Sequence, residues 1–204
     1  MPRKLLIATR NAKKKRELQD IMQDWDVEIL TLDDLPEIPE IEEDGTTFEA
    51  NAVKKARIVA AASGHVTLAD DSGLEVDALG GAPGIYSARF AGLQADDAAN
   101  NLKLMYLLEG LPAEKRTARF VCVIAVAHPD GRVHTVTGKC EGRITERSQG
   151  EGGFGYDPLF IPQGFTQTFA QLDPAEKHLI SHRGQALNKA LALLQAVFSE
   201  GDNI

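Results

Sequence analysis

The stretch FVCVIAVAHPDGRVHTVT, residues 120–137, decides the fold class. Eight successive apolar residues from Phe120 to Ala127 mark a strand covered on both faces, because a half-exposed strand would alternate with polar residues. Pro129-Asp130-Gly131 has the chemistry of a hairpin turn and leads into a second strand, Arg132 to Thr137. A hairpin in a chain that elsewhere alternates strands with helices predicts an α/β fold with a mixed sheet, not a purely parallel one.

Upstream, His65 to Ala69 reads as a strand running into Asp70-Asp71-Ser72-Gly73, where Ser72-Gly73 is expected to turn the chain. Before it, Phe48, Ala52, Ala56 and Val59 share one helix face, and Thr46 and Glu49 have the spacing of a capping box. Asp33 to Gly45 is rich in Asp, Glu and Pro and predicts a loop. Val27 to Leu30 and Lys4 to Ala8 are short strands, with Leu18, Ile21, Met22 and Trp25 at helical spacing between them. Downstream, Leu104, Leu107, Leu108 and Leu111 predict a middle helix. Leu187, Ala190, Leu191, Leu194 and Phe198 predict the last one. Neither a repeat nor a linker interrupts this order, so a single domain over residues 1–204 is expected.

Composition bounds the partners. The 204 residues are 43% hydrophobic and 25% charged, values of an ordinary globular protein. A net charge of -8 repels phosphates at long range, which argues against nucleic acid and against an anionic membrane. No apolar run approaches the roughly 20 residues of a membrane helix, and the N-terminal apolar run Leu5 to Ala8 is too short for a signal-peptide core. Cys122 and Cys140 form no CxxC pair, and the five histidines lack metal-motif spacing. A reduced, cytoplasmic protein is expected, and an anionic ligand needs a local basic patch or a bound cation.

Four places carry possible chemistry. Thr9-Arg10-Asn11-Ala12-Lys13-Lys14 lies between a strand and a helix, where free N–H groups and the helix dipole favour an anion; a solvated basic face is the plain alternative, and no Walker loop is present. The acidic loop with Glu40, Glu42, Glu43 and Asp44, together with Asp70-Asp71, offers oxygen ligands for a hard cation such as Mg²⁺. Neighbouring residues of an extended chain point to opposite faces, and Asp71 is favoured as the one at the metal or the attacking water. In Gly150-Glu151-Gly152-Gly153-Phe154-Gly155-Tyr156-Asp157-Pro158 the glycines let backbone approach a flat ligand, with Phe154 or Tyr156 available to stack on a base. Lys177, then Ser181-His182-Arg183-Gly184, supply a helix cap and donors for carbonyl or phosphate oxygens.

Together these segments resemble the inosine/xanthosine triphosphate pyrophosphatase family, in order and over nearly the whole chain. The resemblance rests on ATRNAKK at 8–14, EEDGTTFEANAVKKA at 42–56, ADDSGLEVDALGGAPGIYSARF at 69–90, GGFGYDPLF at 152–160 and EKHLISHRGQAL at 176–187. It implies an elongated mixed sheet flanked by helices, two lobes around a nucleotide-binding cleft, a homodimer, and Mg²⁺-dependent cleavage between the α- and β-phosphates of ITP, dITP and XTP. It also implies roles: Thr9 to Lys14 hold the triphosphate, Asp71 accepts the proton and meets the metal, and Ser72 touches substrate. Glu42 or Glu43 is the further metal ligand, and Phe154, Gly155, Tyr156, Asp157, Lys177, His182 and Arg183 embrace the base. Family members often carry Gly at the position of Arg10, so its side chain is expected to point outward. The competing readings are a non-catalytic nucleotide- or RNA-binding module and a pyrophosphatase for modified pyrimidine triphosphates.

Overall fold

The structure is a computed structural model that describes residues 3–11, 16, 19, 27–39 and 41–200. The helix expected around Leu18 to Trp25 lies outside the described residues. Six strands form one sheet: β1 (Arg3–Ile7), β2 (Val27–Thr31), β3 (Val66–Val76), β4 (Thr117–Ala127), β5 (Val133–Ile144) and β6 (Phe160–Pro162), in the order β2-β1-β3-β4-β5-β6. β1 runs parallel to both β2 and β3, whereas β5 and β6 are antiparallel. The expected α/β fold with a mixed sheet is therefore the one observed.

Among the described residues four α-helices accompany the sheet: α1 (Phe48–Ser63), α2 (Asp97–Leu107), α3 (Pro174–Ile180) and α4 (His182–Glu200). Among the described residues no helix is long and apolar enough to cross a membrane. The cap of α1 sits one residue later than the sequence suggests. Thr47, not Thr46, accepts the Ala50 N–H at 3.0 Å, so Glu49 is not placed to close a capping box and instead accepts from the Thr135 hydroxyl. At the other end Gly64 takes φ +70°, where its N–H reaches Ala60 O.

The chain divides into two compact units. The first comprises Met1–Asp71, Val123–Thr137 and Ala186–Ile204; the second comprises Ser72–Cys122 and Gly138–Gln185. In the first, Leu5, Leu6, Ala52, Ala56, Val59, Leu68, Ile124, Leu187, Ala190 and Leu194 are buried completely. In the second, a cluster built on Leu74, Leu104, Leu108, Phe120, Phe160 and Phe169 is buried, with Phe120 edge-on to Phe160 at 4.7 Å. All of Phe120 to Ala127 is buried, as its unbroken apolarity demands. In α2 the buried positions are Asn100 and Leu104, with Leu108 buried just past its end, while Leu107 is exposed.

Candidate active site

In the first unit the chemistry gathers around one face of α1. The apolar stripe Phe48, Ala52, Ala56, Val59 also carries Asn51 and Lys55, spaced one turn apart and therefore on that same core-facing side. Asn51 is 1% exposed. Its Nδ2 donates to Asp71 Oδ2 at 2.9 Å, and its Oδ1 accepts the Gly45 N–H at 2.7 Å. The Lys55 ammonium donates to Glu43 Oε1 and, at 2.6 Å, to the Asp70 carbonyl. Burial works against its charge, but the carboxylates of Asp70, Glu43 and Asp71 more than compensate and hold its pKa above the ordinary lysine value. Asp70 and Asp71 are both buried, at 2% and 5% exposure.

Asp70-Asp71-Ser72-Gly73 is not a turn. β3 continues through it as far as Val76, and Leu74 N–H beyond it is taken up by the Ser87 hydroxyl at 2.9 Å. An exposed strand end would make two adjacent aspartates into a polar cap; eleven residues of strand carry them into the interior instead. At the turn after β1, Thr9 is buried and its hydroxyl accepts the Asn11 N–H at 3.2 Å. Arg10 does point outward, and its guanidinium donates to the Ile38 carbonyl at 2.7 Å, tying this turn to the acidic loop. Ala12, Lys13, Lys14 and Glu40 lie outside the described residues. Glu42 is exposed, whereas Glu43 is engaged by Lys55.

The second unit holds the aromatic and cationic group. Lys177 and Asp157 form a buried pair at 2.7 Å, with side chains 9% and 5% exposed. The same Asp157 oxygen accepts the Phe154 N–H at 2.8 Å, so one carboxylate holds both the lysine and the loop. The Lys177 ammonium lies 5.2 Å from the Phe154 ring centre, and the Arg183 guanidinium lies 5.4 Å from it. Arg183 also donates to the Ser72 hydroxyl at 3.0 Å. His182 stacks on Phe120, centroids 4.7 Å apart and planes within 10°. Ser181 caps α4 as expected, its hydroxyl accepting the Gly184 N–H at 3.1 Å.

Of the two aromatics offered for stacking, Phe154 is half-buried. Tyr156 is 4% exposed inside the core cluster, its hydroxyl donating to the Ser87 carbonyl at 2.9 Å. Between them Gly155, at φ +62°, turns its peptide groups toward α2: its N–H donates to Asp97 Oδ2 at 2.8 Å and its carbonyl accepts from Asn101 Nδ2 at 2.9 Å. The loop is thus clamped from one helix.

The Ham1 family model matches residues 5–193, which is most of the chain. The chain belongs to the Ham1 family. It is 54% identical over 195 residues to the dITP/XTP pyrophosphatase of Desulforamulus reducens, covering 96% of this chain and 97% of that one. The dITP/XTP pyrophosphatase of Exiguobacterium sibiricum is 51% identical over 197 residues, covering 97% and 100%. Among solved structures, a HAM1 protein from Coxiella burnetii superposes with TM-score 0.87 at 39% identity, covering 95% of this chain and 99% of that one. A nucleoside-triphosphatase/dITP/XTP pyrophosphatase from Mycobacterium abscessus gives TM-score 0.77 at 45% identity, covering 92% and 98%.

Within this Ham1 chain the sequence reading brought out Asp71, Phe154, Lys177, His182 and Arg183, and the structure gives each a buried or half-buried place with named partners. It missed Asn51, Lys55, Asp97 and Asn101. The signal for the first two was present: an amide and an ammonium on the apolar stripe of α1 break its pattern, and a polar residue there needs a buried partner. Asp97 and Asn101 carried no comparable signal, since their partner is a backbone group of a distant loop.

Proposed function

We propose that this chain hydrolyses the triphosphates of deaminated purines, ITP, dITP and XTP, to the nucleoside monophosphate and pyrophosphate, working as one catalytic domain. The reading is carried by the carboxylates of Glu43, Asp70 and Asp71 around Lys55. The names of the relatives, dITP/XTP pyrophosphatases that match nearly end to end, support the substrate class.

The donor set fits a hard divalent cation, because every side-chain candidate is a carboxylate oxygen. Among the described residues no three His, Cys, Asp or Glu side chains form a ready-made cluster. A Mg²⁺ site needs none, since one or two carboxylates with waters and substrate phosphates suffice. We assign Asp71 and exposed Glu42 to the ion, Glu43 being engaged by Lys55. Such an ion, when bound, neutralises charge on the leaving pyrophosphate and lowers the cost of in-line attack. Asp71, an acceptor-only carboxylate when ionised, takes the proton from the attacking water. Thr9, Arg10 and Asn11, with Ala12, Lys13 and Lys14, receive the phosphates, and Ser72 contacts substrate.

Base choice falls to the second unit. Hypoxanthine and xanthine present a 6-oxo acceptor, which suits the donors of Lys177, His182 and Arg183, while Phe154 offers a stacking face. Adenine would set its amino group against those donors, and a buried donor left without an acceptor costs enough to discriminate by orders of magnitude. Backbone at Gly155 and the carboxylate of Asp157 keep this group in place. We further assign the protein to the cytoplasm as a homodimer that does not engage nucleic acid or membrane.

The test is a panel of ITP, dITP, XTP, ATP and GTP with purified protein and Mg²⁺, scored for pyrophosphate. Pyrophosphate from the deaminated purines ahead of ATP is the expected result. Orthophosphate as the primary product, or equal turnover of ATP, overturns the proposal. Sedimentation of the same preparation checks the dimer.

A further inference from the structure

We infer that Asn51 is a positioning residue for the hydrolytic step, an amide that orients the Asp71 carboxylate and anchors the acidic loop to the same helix. The inference rests on the proposed reaction and adds a residue to it.

The chemistry of the two partners leaves the amide only one orientation. A backbone N–H, such as that of Gly45, can only donate, so the atom facing it at 2.7 Å is the carbonyl oxygen of Asn51. The nitrogen therefore faces Asp71 Oδ2 at 2.9 Å, where an ionised carboxylate can only accept. Both bonds are internally consistent, and reversing the amide would break both at once. With Asn51 1% exposed, water does not replace either bond cheaply.

The two bonds connect pieces that the chain keeps apart. Gly45 ends the run Glu42-Glu43-Asp44, and Asp71 lies twenty residues beyond Asn51 in β3. One side chain on α1 therefore sets where the acidic loop closes and which way the Asp71 carboxylate faces. Gly45 itself shows how close the fit is: a Cβ there would stand 2.6 Å from Asn51 Oδ1, inside contact distance. A side chain at 45 would have to displace that amide. Lys55, one turn further along α1, binds the Glu43 side chain and the Asp70 carbonyl, so the helix supports both sides of the carboxylate group. Catalysis loses about 100-fold when a reacting group is displaced by about 1 Å, which sets the scale of the expected effect.

The experiment compares wild type with Asn51→Asp, Gly45→Ala, Asp71→Asn and the double variant Asn51→Asp/Asp71→Asn, measuring kcat and KM for ITP and thermal melting of each. Asn51→Asp keeps an acceptor for Gly45 and replaces the donor to Asp71 with an oxygen. It is expected to lower kcat about 100-fold with KM within about threefold of wild type. In the double variant the contact is re-formed with donor and acceptor exchanged, so melting recovers relative to Asn51→Asp while activity stays at the level of Asp71→Asn. Gly45→Ala, which pushes on the amide from the other side, is expected to lower kcat in the same way and serves if Asn51→Asp does not fold. Amide exchange at Gly45 is expected to be protected in wild type and to speed up in Gly45→Ala.

A folded Asn51→Asp variant with kcat within threefold of wild type overturns the Asn51 role alone. So does a double variant whose activity falls well below that of Asp71→Asn, because independent losses mean that Asn51 does not act through Asp71. A wild type that turns over none of the purine triphosphates overturns the proposed reaction and the Asn51 role in it together. The three results are distinguishable.

Discussion

Among the described residues each unit holds a largely buried lysine against carboxylate, and the charged groups around the two lysines differ in their surplus sign. Lys55 is engaged by Glu43 and feels Asp70 and Asp71 beside it, three carboxylates to one ammonium. Lys177 pairs with Asp157, and both Lys177 and Arg183 lie over the Phe154 ring, so this group counts two cations and one carboxylate. The lysine side chains are nearly equally covered, at 12% and 9% exposure. Burial therefore does not distinguish them, and the sign of the surrounding excess does. An anionic surround suits a divalent cation and the phosphates it carries, whereas a cationic, aromatic surround suits the carbonyl of a flat base.

The comparison breaks most visibly at Asp71. Asp71→Asn keeps the shape and the partner Asn51 but removes the proton acceptor, and turnover is expected to fall between about 100- and 10,000-fold with the melting curve retained. Near-full activity in that variant would place the chemistry elsewhere than the anionic group. The two lysines provide the next test. Lys177→Met leaves Asp157 buried without its cation and is expected to cost about 3–5 kcal/mol of stability by denaturant titration. Adding Asp157→Asn should recover part of that loss without restoring preference for ITP over ATP.

A smaller effect separates the units by pH. Because Lys55 has a raised pKa in the folded protein, its ion pairing is complete below the ordinary lysine value of 10.5 and is lost as pH climbs through the higher folded value. Melting temperatures of wild type and Lys55→Met should therefore differ at neutral pH and converge at strongly alkaline pH; a constant difference would mean that the contribution of Lys55 is packing, not charge. The smallest effect concerns a buried thiol of the second unit. Burial, with the Glu141 charge nearby, pushes Cys140 up to about 12, so it stays protonated near neutrality. A thiol reagent at about pH 8 should modify it only after denaturation, and rapid labelling of native protein would contradict a closed core there.

How much was legible beforehand differs along the chain. β4 and the turn at Pro129-Asp130-Gly131 were readable because an unbroken apolar run and a turn tripeptide are local signals, and both appear where expected. β3 was readable only as far as Ala69. Its continuation through Asp70-Asp71-Ser72-Gly73 runs against local propensity and depends on partners such as the Ser87 hydroxyl at Leu74. β6 and α3 were not anticipated, the first because three residues of strand carry no period. In the candidate site Phe154 and Tyr156 looked alike as sequence, and only their burial separates them.

By itself the sequence determined the mixed α/β class and the blocks that resemble a known family, and it raised the expectation of a metal, phosphates and a purine as ligands and of no long polyanion as a partner. Each is a property of composition, of spacing along the chain or of blocks resembling a known family. Only the tertiary structure decided that Tyr156 belongs to the core, that Glu43 answers to Lys55, and that Asn51 joins the acidic loop to Asp71. Hydrogen bonds and charge pairs join residues by distance in space, and separations of 6, 12 and 20 residues along the chain leave no periodic trace in the sequence.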